Sequence, residues 1–292
     1  MNKCSLHACR VVAALVFTAF ASGCATYDRI AEYPKHGQAT TVTVTAKPLS
    51  EFPSGAYYDP QRQIVISGHQ KGMIAGAMFG LVGAIVADSV NKSSAETRFG
   101  DSARSISTDL RALTREVLEE AIANQQAPGW TLKTEKARLE LIPYAVFTVV
   151  KSGNARLYAM LKAEIPGAGD DLVWGVRYFV RAPGEFPIEG NDGWMTGDRF
   201  ATGMRAAMKR ALQVCIDDCS GKLKGNRTVT AKGPLAYFGD DTIPWRFIVV
   251  SEDEGAIVAR FVAGDVMAMA GTHVLERADH KIEAATFDDP RK

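Results

Sequence analysis

The order of apolar and polar residues predicts a chain of mixed helices and strands. In Asp101–Asn124, apolar residues recur at intervals of three and four, and charged residues occupy the opposite face. This pattern predicts an amphipathic helix, which Pro128 and Gly129 end. The same spacing predicts a second amphipathic helix over Asp198–Val214. Most of the remaining chain has the shorter period that is typical of strands.

Strands are predicted on both sides of the second helix. Before that helix, the candidate strands are Thr41–Thr45, Gln63–Ser67, Trp130–Val150, Arg156–Ile165 and Leu172–Val180. After Gly221, they are Arg227–Ala231, Trp245–Val250, Ala256–Phe261, Val266–Ala268 and His273–Glu276. The acidic run Ser251–Gly255 predicts a solvated turn in an antiparallel hairpin, because it lacks the alternating oxygen ligands of a calcium loop. The predicted fold class is therefore α+β, with a mixed or antiparallel sheet packed by helices and a C-terminal β-rich module.

A third apolar segment has a different pattern. The 16 residues Gly72–Ala87 carry no charge, and Gly72, Gly76, Gly80 and Gly83 fall on one face of a helix. Glycines at this spacing let another backbone approach closely. In one interpretation, the helix is buried in the protein. In the other, it forms a glycine zipper that associates with further copies or contacts the membrane, although about 24 Å of helix is shorter than a bilayer core of ~30 Å.

The N-terminus has the features of a secretion signal. Lys3 and Arg10 precede the apolar run Val11–Ala21, and Ser22, Gly23 and Cys24 follow it. The end of this segment resembles the lipobox of bacterial lipoproteins, although Ala21 stands where the family usually has Leu. The resemblance implies cleavage before Cys24, a diacylglycerol on its sulfur and an acyl group on its freed amine. Ala25 and Thr26 directly follow Cys24, and the absence of Asp at these two positions implies, by resemblance to enterobacterial sorting rules, delivery to the outer membrane.

The domain organisation follows from this interpretation. We predict a signal peptide over 1–23, a lipid anchor and polar tether over 24–45 and an α/β periplasmic domain over 46–220. A β-rich module over 221–280 and a polar tail over 281–292 follow. About 20 residues of flexible tether would hold the body roughly 25 Å from the membrane.

The chain also shows a weaker resemblance over residues 15–180. A lipobox, a glycine-rich apolar helix, an amphipathic helix and a run of strands resemble uncharacterised proteobacterial lipoproteins. The arrangement is also loosely similar to small domains of envelope assembly lipoproteins, including curli-secretion and penicillin-binding-protein activator types. These resemblances imply roles in assembly or interaction rather than catalysis.

Charge and cysteine content restrict the partners and the chemistry. Removal of residues 1–23 leaves 32 basic and 33 acidic residues, which argues against nucleic acid as a partner. Of the five cysteines, Cys215 and Cys219 alone would remain unmodified in the mature chain. In an oxidising periplasm they are predicted to form a disulfide, with the helix fraying near Val214. A redox pair, a metal site or unpaired thiols are the alternatives.

No motif specifies a reaction, and we predict no catalytic residue, metal site or cofactor. The histidines are isolated, and the pair Asp217-Asp218 is predicted to lie in a turn. Trp194, in a loop between two glycines, is the one tryptophan predicted as a ligand contact, for example with glycan. The leading hypothesis is a non-enzymatic outer-membrane lipoprotein whose periplasmic body binds an envelope protein or itself. A membrane-contacting glycine-zipper oligomer and a glycan binder or envelope enzyme are the alternatives.

Overall fold

A three-stranded antiparallel meander forms the centre of the sheet. The computed structural model of the chain describes residues 32–34, 38–53, 56–67, 100–101, 103–168, 172–239, 241–261 and 267–285. Within them, the meander consists of β5 (Leu139–Val149), β6 (Ala155–Pro166) and β7 (Leu172–Arg181). These are the three longest of the described strands, and each pairs with the next along most of its length.

Nine further strands extend the meander into one twelve-stranded sheet. They are β1 (Thr40–Val44), β2 (Tyr57–Asp59), β3 (Ile64–Ser67), β4 (Trp130–Leu132), β8 (Arg227–Lys232), β9 (Trp245–Glu252), β10 (Ala256–Phe261), β11 (Thr272–Glu276) and β12 (Lys281–Ala284). The order is β12-β8-β9-β10-β11-β7-β6-β5-β1-β4, with β3 on β5 and β2 on β3. Most neighbours are antiparallel, while β1, β3 and β11 run parallel to the meander strands beside them. The described structure is therefore α+β with a largely antiparallel sheet.

The sheet is buried on both faces near its centre. Along β6, Leu157, Ala159 and Leu161 lie in one apolar cluster, whereas Tyr158 and Met160 lie in another. Successive side chains of a strand point to opposite faces, so these clusters are two cores separated by the sheet. The first core also contains the apolar stripes of both α-helices. The predicted alternation along β6 is confirmed. The side chains between the predicted apolar positions, such as Tyr158 and Met160, are also buried.

The helices form where the sequence pattern placed them, but their bounds differ from the prediction. The predicted first helix is divided in two: residues 100–101 and 103–105 are helical, residues 106–109 are not, and helix α1 is Leu110–Ala123. The Asp109 carboxylate caps the start of α1 by accepting from the backbone N–H groups of Arg111 and Ala112. Helix α2 is Arg199–Cys219 and passes the predicted end at Val214. The continuation is stabilised because the last turns of α2 keep burying side chains.

The strand predictions also need corrections of bounds. Trp130–Val150, predicted as one strand, contains β4 and β5 with an irregular connection between them. The Val266–Ala268 strand is wrong where the structure describes it, because Met267–Met269 is a 3₁₀ helix. The turn between β9 and β10 is confirmed as a hairpin connection.

The C-terminal strands join the central sheet through β11. Thr272 and His273 pair with Tyr178 and Phe179 of β7, so the strands predicted as a separate β-rich module continue the same sheet. The last strand, β12, lies inside the predicted polar tail. Its side chains are largely exposed, and pairing with β8 holds it at the sheet edge.

The connection between β8 and β9 covers part of the second core. Tyr237 is fully buried, its backbone N–H donates to Thr148 Oγ1 at 2.9 Å, and its carbonyl accepts from Ser67 Oγ at 3.2 Å. Its hydroxyl lies 3.4 Å from the sulfur of Met160. These contacts tie the C-terminal half of the chain to β3, β5 and β6.

His273 gives the second core a defined response to acid. Its ring stacks on Phe179 with centroids 4.5 Å apart, its Nε2 lies 2.9 Å from the Met269 carbonyl oxygen, and burial lowers its pKa to about 4. The unfolded chain binds this proton near pH 6.5, so stability is full above that pH and falls as the pH drops toward 4. We expect a loss of about 3 kcal/mol of unfolding free energy across this window.

The test compares denaturant unfolding at pH 7 and pH 5 in His273→Gln and in the parent chain. The variant should lose most of the pH dependence, whereas the control His280→Gln, at a partly exposed position, should keep it. Equal pH dependence in the parent and in His273→Gln would contradict the assignment.

Candidate functional site

The end of the body nearest the predicted lipid anchor is marked by Tyr33. This side chain is 2% exposed, and its ring meets that of Trp174 edge to face with centroids 5.1 Å apart. Its hydroxyl lies 3.3 Å from Thr40 Oγ1, and burial raises its pKa. The folded body therefore begins by Tyr33, and β1 follows at Thr40, although both were predicted to belong to the tether.

Two apolar side chains are exposed at the same end of the sheet. Leu172 and Val173, at the start of β7, are 51% and 61% exposed, and they are the large hydrophobic residues exposed among the described residues. Trp174, which packs on Tyr33, is the next residue in the strand. The start of β7 thus places an apolar surface beside the point where the N-terminal segment enters the fold.

Ion pairs balance the charges of the strands beside this surface, and Asp170 and Asp171 precede Leu172 in the sequence. Lys47 Nζ lies 2.5 Å from Glu140 and 3.0 Å from Glu164, and Lys162 also contacts Glu164. Burial alone would raise the pKa of Glu164, but these two ammonium groups hold it below its usual value. The group contains two acids and two bases, so it presents no net charge to a partner.

A buried polar group anchors the last turn of α2 near the same end. Asp218 accepts hydrogen bonds from the Tyr178 hydroxyl and from Arg260, both at 2.9 Å. Burial raises the pKa of Tyr178 well above its usual value. Asp218 is 2% exposed and helical, so its predicted place in a turn is wrong. The charge pair is consistent with a structural role, because both oxygens of the carboxylate are engaged.

The predicted disulfide between Cys215 and Cys219 is absent. Both residues are buried free thiols within α2, and the hydrogen bond between them, together with burial, raises the pKa of the Cys219 thiol. Residues four apart in an unbroken helix stack one turn above each other, which does not match the short Cβ–Cβ distance of a disulfide. The predicted disulfide depended on α2 fraying near Val214, but α2 continues as a regular helix to Cys219. The raised pKa of Cys219 and the burial of both thiols also disfavour redox reactivity.

Trp194 is part of the first core and not a surface contact residue. It is 1% exposed, and its Nε1 donates to the Ala155 carbonyl at 2.7 Å. Its ring packs against Phe147 and Phe186. The predicted glycan contact is therefore wrong in this conformation, because the ring has no face open to a sugar. A glycine-flanked loop is compatible with either role, so the sequence did not distinguish them.

A groove of about 330 Å³ lies at the N-terminus of α1. Arg62 and Arg111 line it, but Arg62 pairs with Asp59 at 3.2 Å and Arg111 with Asp109 at 3.4 Å. The Gln63 side chain is buried there, and its Nε2 has no hydrogen-bond partner among the described residues. Because each arginine faces a carboxylate, the groove has little net charge to attract an anion.

Several predicted site residues lie outside the described residues. They are the lipidation site Cys24 and the helix-packing glycines Gly72, Gly76, Gly80 and Gly83. Among the residues that are described, no helix has both the length and the apolar character required to cross a bilayer. Within the same ranges, no group of three or more His, Cys, Asp or Glu side chains is arranged to hold a metal ion.

Comparison with known proteins adds no relative: no family model, no curated protein and no solved structure matches the chain significantly. The functional argument therefore depends on the residues themselves. Sequence reasoning missed Tyr33 and the pair Leu172-Val173. Two sequence features could have indicated them. Tyr33 is an aromatic residue in an otherwise polar segment. Leu172 and Val173 are consecutive apolar residues at the start of a strand, where regular alternation would make one of them polar.

Tyr33 tests whether the N-terminal segment is part of the fold. Tyr33→Ala removes a buried ring, so we expect a loss of about 3 kcal/mol in the free energy of unfolding. Tyr33→Phe keeps the contact with Trp174 and loses only the hydroxyl contact with Thr40, so it should cost about 1 kcal/mol. Denaturant unfolding measures both values. A Tyr33→Ala variant as stable as the parent would contradict the docking of this segment.

Proposed function

We propose that this protein is a non-enzymatic lipoprotein of the cell envelope, acylated at Cys24 and facing the periplasm from the outer membrane. The observation that carries the proposal is the N-terminal sequence, in which a basic start and an 11-residue apolar run lead to Ala21-Ser22-Gly23-Cys24. The apolar run is short of the ~20 residues that a spanning helix needs, which favours cleavage over an uncleaved anchor.

The position of Tyr33 supports a membrane-proximal body. Nine residue steps join Cys24 to Tyr33. A fully extended chain of that length spans at most about 32 Å. The docked tyrosine thus lies within that distance of the proposed lipid attachment site. A fully extended tether over residues 24–45 would reach about 75 Å, so docking of Tyr33 shortens the greatest possible distance by more than half.

The role proposed for the body is protein interaction or assembly at the membrane, with an envelope protein or a second copy as partner. The near balance of 32 basic and 33 acidic residues in the mature chain supports a protein partner over nucleic acid. The anchored end with Leu172 and Val173 adds an apolar contact surface. We assign no catalytic residue and no cofactor.

Acylation of Cys24 is directly testable in a bacterial host. The parent chain should incorporate labelled palmitate, and mass spectrometry should find an N-terminal peptide that begins at an acylated Cys24. Cys24→Ser should lose the label, because a hydroxyl does not replace the thiol that receives the diacylglycerol. The matched control Cys9→Ser, inside the signal, should keep it. Label retained in Cys24→Ser, or a mature N-terminus elsewhere, would contradict the proposal.

The proposal includes an apolar helix over Gly72–Ala87 that packs closely on another backbone. Leucine at Gly76 and Gly80 would fill the space that such packing needs, so Gly76→Leu with Gly80→Leu should cost about 1–3 kcal/mol or disrupt assembly. The control Ala75→Leu with Ala77→Leu also adds bulk, but at positions about 100° around the helix from the centre of the glycine face. Thermal unfolding and sedimentation measure the two effects. Unchanged stability and size in the glycine variant, with stronger lipid binding, would indicate a surface membrane contact instead.

A further inference from the structure

We infer that the start of β7 is a membrane-contact tip, in which Leu172 and Val173 rest on the lipid bilayer and orient the body. The inference rests on the proposed lipid anchor at Cys24. It adds a second, non-covalent contact with the same bilayer and assigns the side of the body that faces it.

Leu172 and Val173 stand at an irregular end of β7. Leu172 lies opposite Pro166 and Trp174 lies opposite Ile165, so Val173 is the extra residue of a bulge. The Leu172 side chain lies over Gly175, and both apolar side chains remain more than half exposed. β11 pairs with β7 only at Tyr178 and Phe179, well beyond the tip. The start of β7, paired with the end of β6, therefore projects past its other neighbour in the sheet.

The N-terminal segment enters the fold beside this tip. Tyr33 packs on Trp174, and Val173 is the adjacent residue. The chain from Cys24 to Tyr33 reaches at most about 32 Å when fully extended. A lipid on Cys24 consequently keeps the tip close to the bilayer, whereas the opposite end of β6 lies about 36 Å farther along the strand.

The chemistry of the tip fits the acyl–headgroup boundary. Leu and Val gain free energy from leaving water, and the adjacent ion pairs of Lys47 and Lys162 with Glu140 and Glu164 are balanced in charge. Asp170 and Asp171 directly precede Leu172 in the sequence, so the contact is expected with zwitterionic lipid and not with anionic lipid. Two side chains add little affinity to a lipid anchor, so their effect is on orientation.

A second copy of the chain is the other partner that could cover Leu172 and Val173. The bilayer is favoured because the Tyr33–Trp174 contact brings the membrane attachment to this end of the sheet. An exposed pair of side chains is also far smaller than the interface that a stable dimer needs, about 800 Å² per partner.

The experiment uses the mature, acylated protein reconstituted into vesicles of phosphatidylcholine with brominated acyl chains. A tryptophan is introduced at the tip as Val173→Trp. The matched control is Ser152→Trp, an exposed position in the turn between β5 and β6 at the other end of the meander. Emission is compared with that of the parent chain, whose four native tryptophans set the baseline.

The expected result is that brominated lipid quenches the emission added by Val173→Trp and leaves that added by Ser152→Trp unchanged. Equal quenching at both sites, or none at either, overturns the inference about the tip. The lipoprotein proposal stands in that case if mass spectrometry finds an acylated Cys24 peptide. A tip emission that shifts with protein concentration in the absence of lipid overturns it in favour of a second copy. If mass spectrometry finds Cys24 unacylated, the proposed function fails, and the contact that depends on that anchor fails with it.

Discussion

The structure depends on burial of β6 on both of its faces. One set of its side chains packs against the helices, and the other set packs against the C-terminal half of the chain. The two cores on either side of β6 explain why β5, β6 and β7 are long and are paired along most of their length. β7 is longer than its pairing with β11, which involves only Tyr178 and Phe179. The start of β7, with Leu172 and Val173, therefore lies at one end of the meander without β11 beside it.

The position of the end that we propose to be anchored follows from this arrangement. Trp174 lies in the first core next to the tip, and Tyr33 packs against its ring. The segment that leads to the proposed lipid is thereby attached to the end of β7 and not to the opposite end of the sheet. In this account, the fold itself determines which side of the body faces the membrane.

Local periodicity predicted most strands and both helices. The alternation along β6 and the apolar stripe of α2 follow from backbone geometry that acts over a few residues, and both were confirmed. The free thiols, the burial of Trp194 and the docking of Tyr33 were not predicted. Each depends on contacts between residues distant in the sequence, such as Trp194 with Ala155, and a single sequence does not encode such contacts in its local pattern.

The most direct test of the account is neutron reflectometry of the acylated protein on a supported bilayer. The account predicts protein density in direct contact with the lipid headgroups, because the lead from Cys24 to Tyr33 is short and the apolar tip lies beside it. A continuous layer of water between the headgroups and the protein would contradict it.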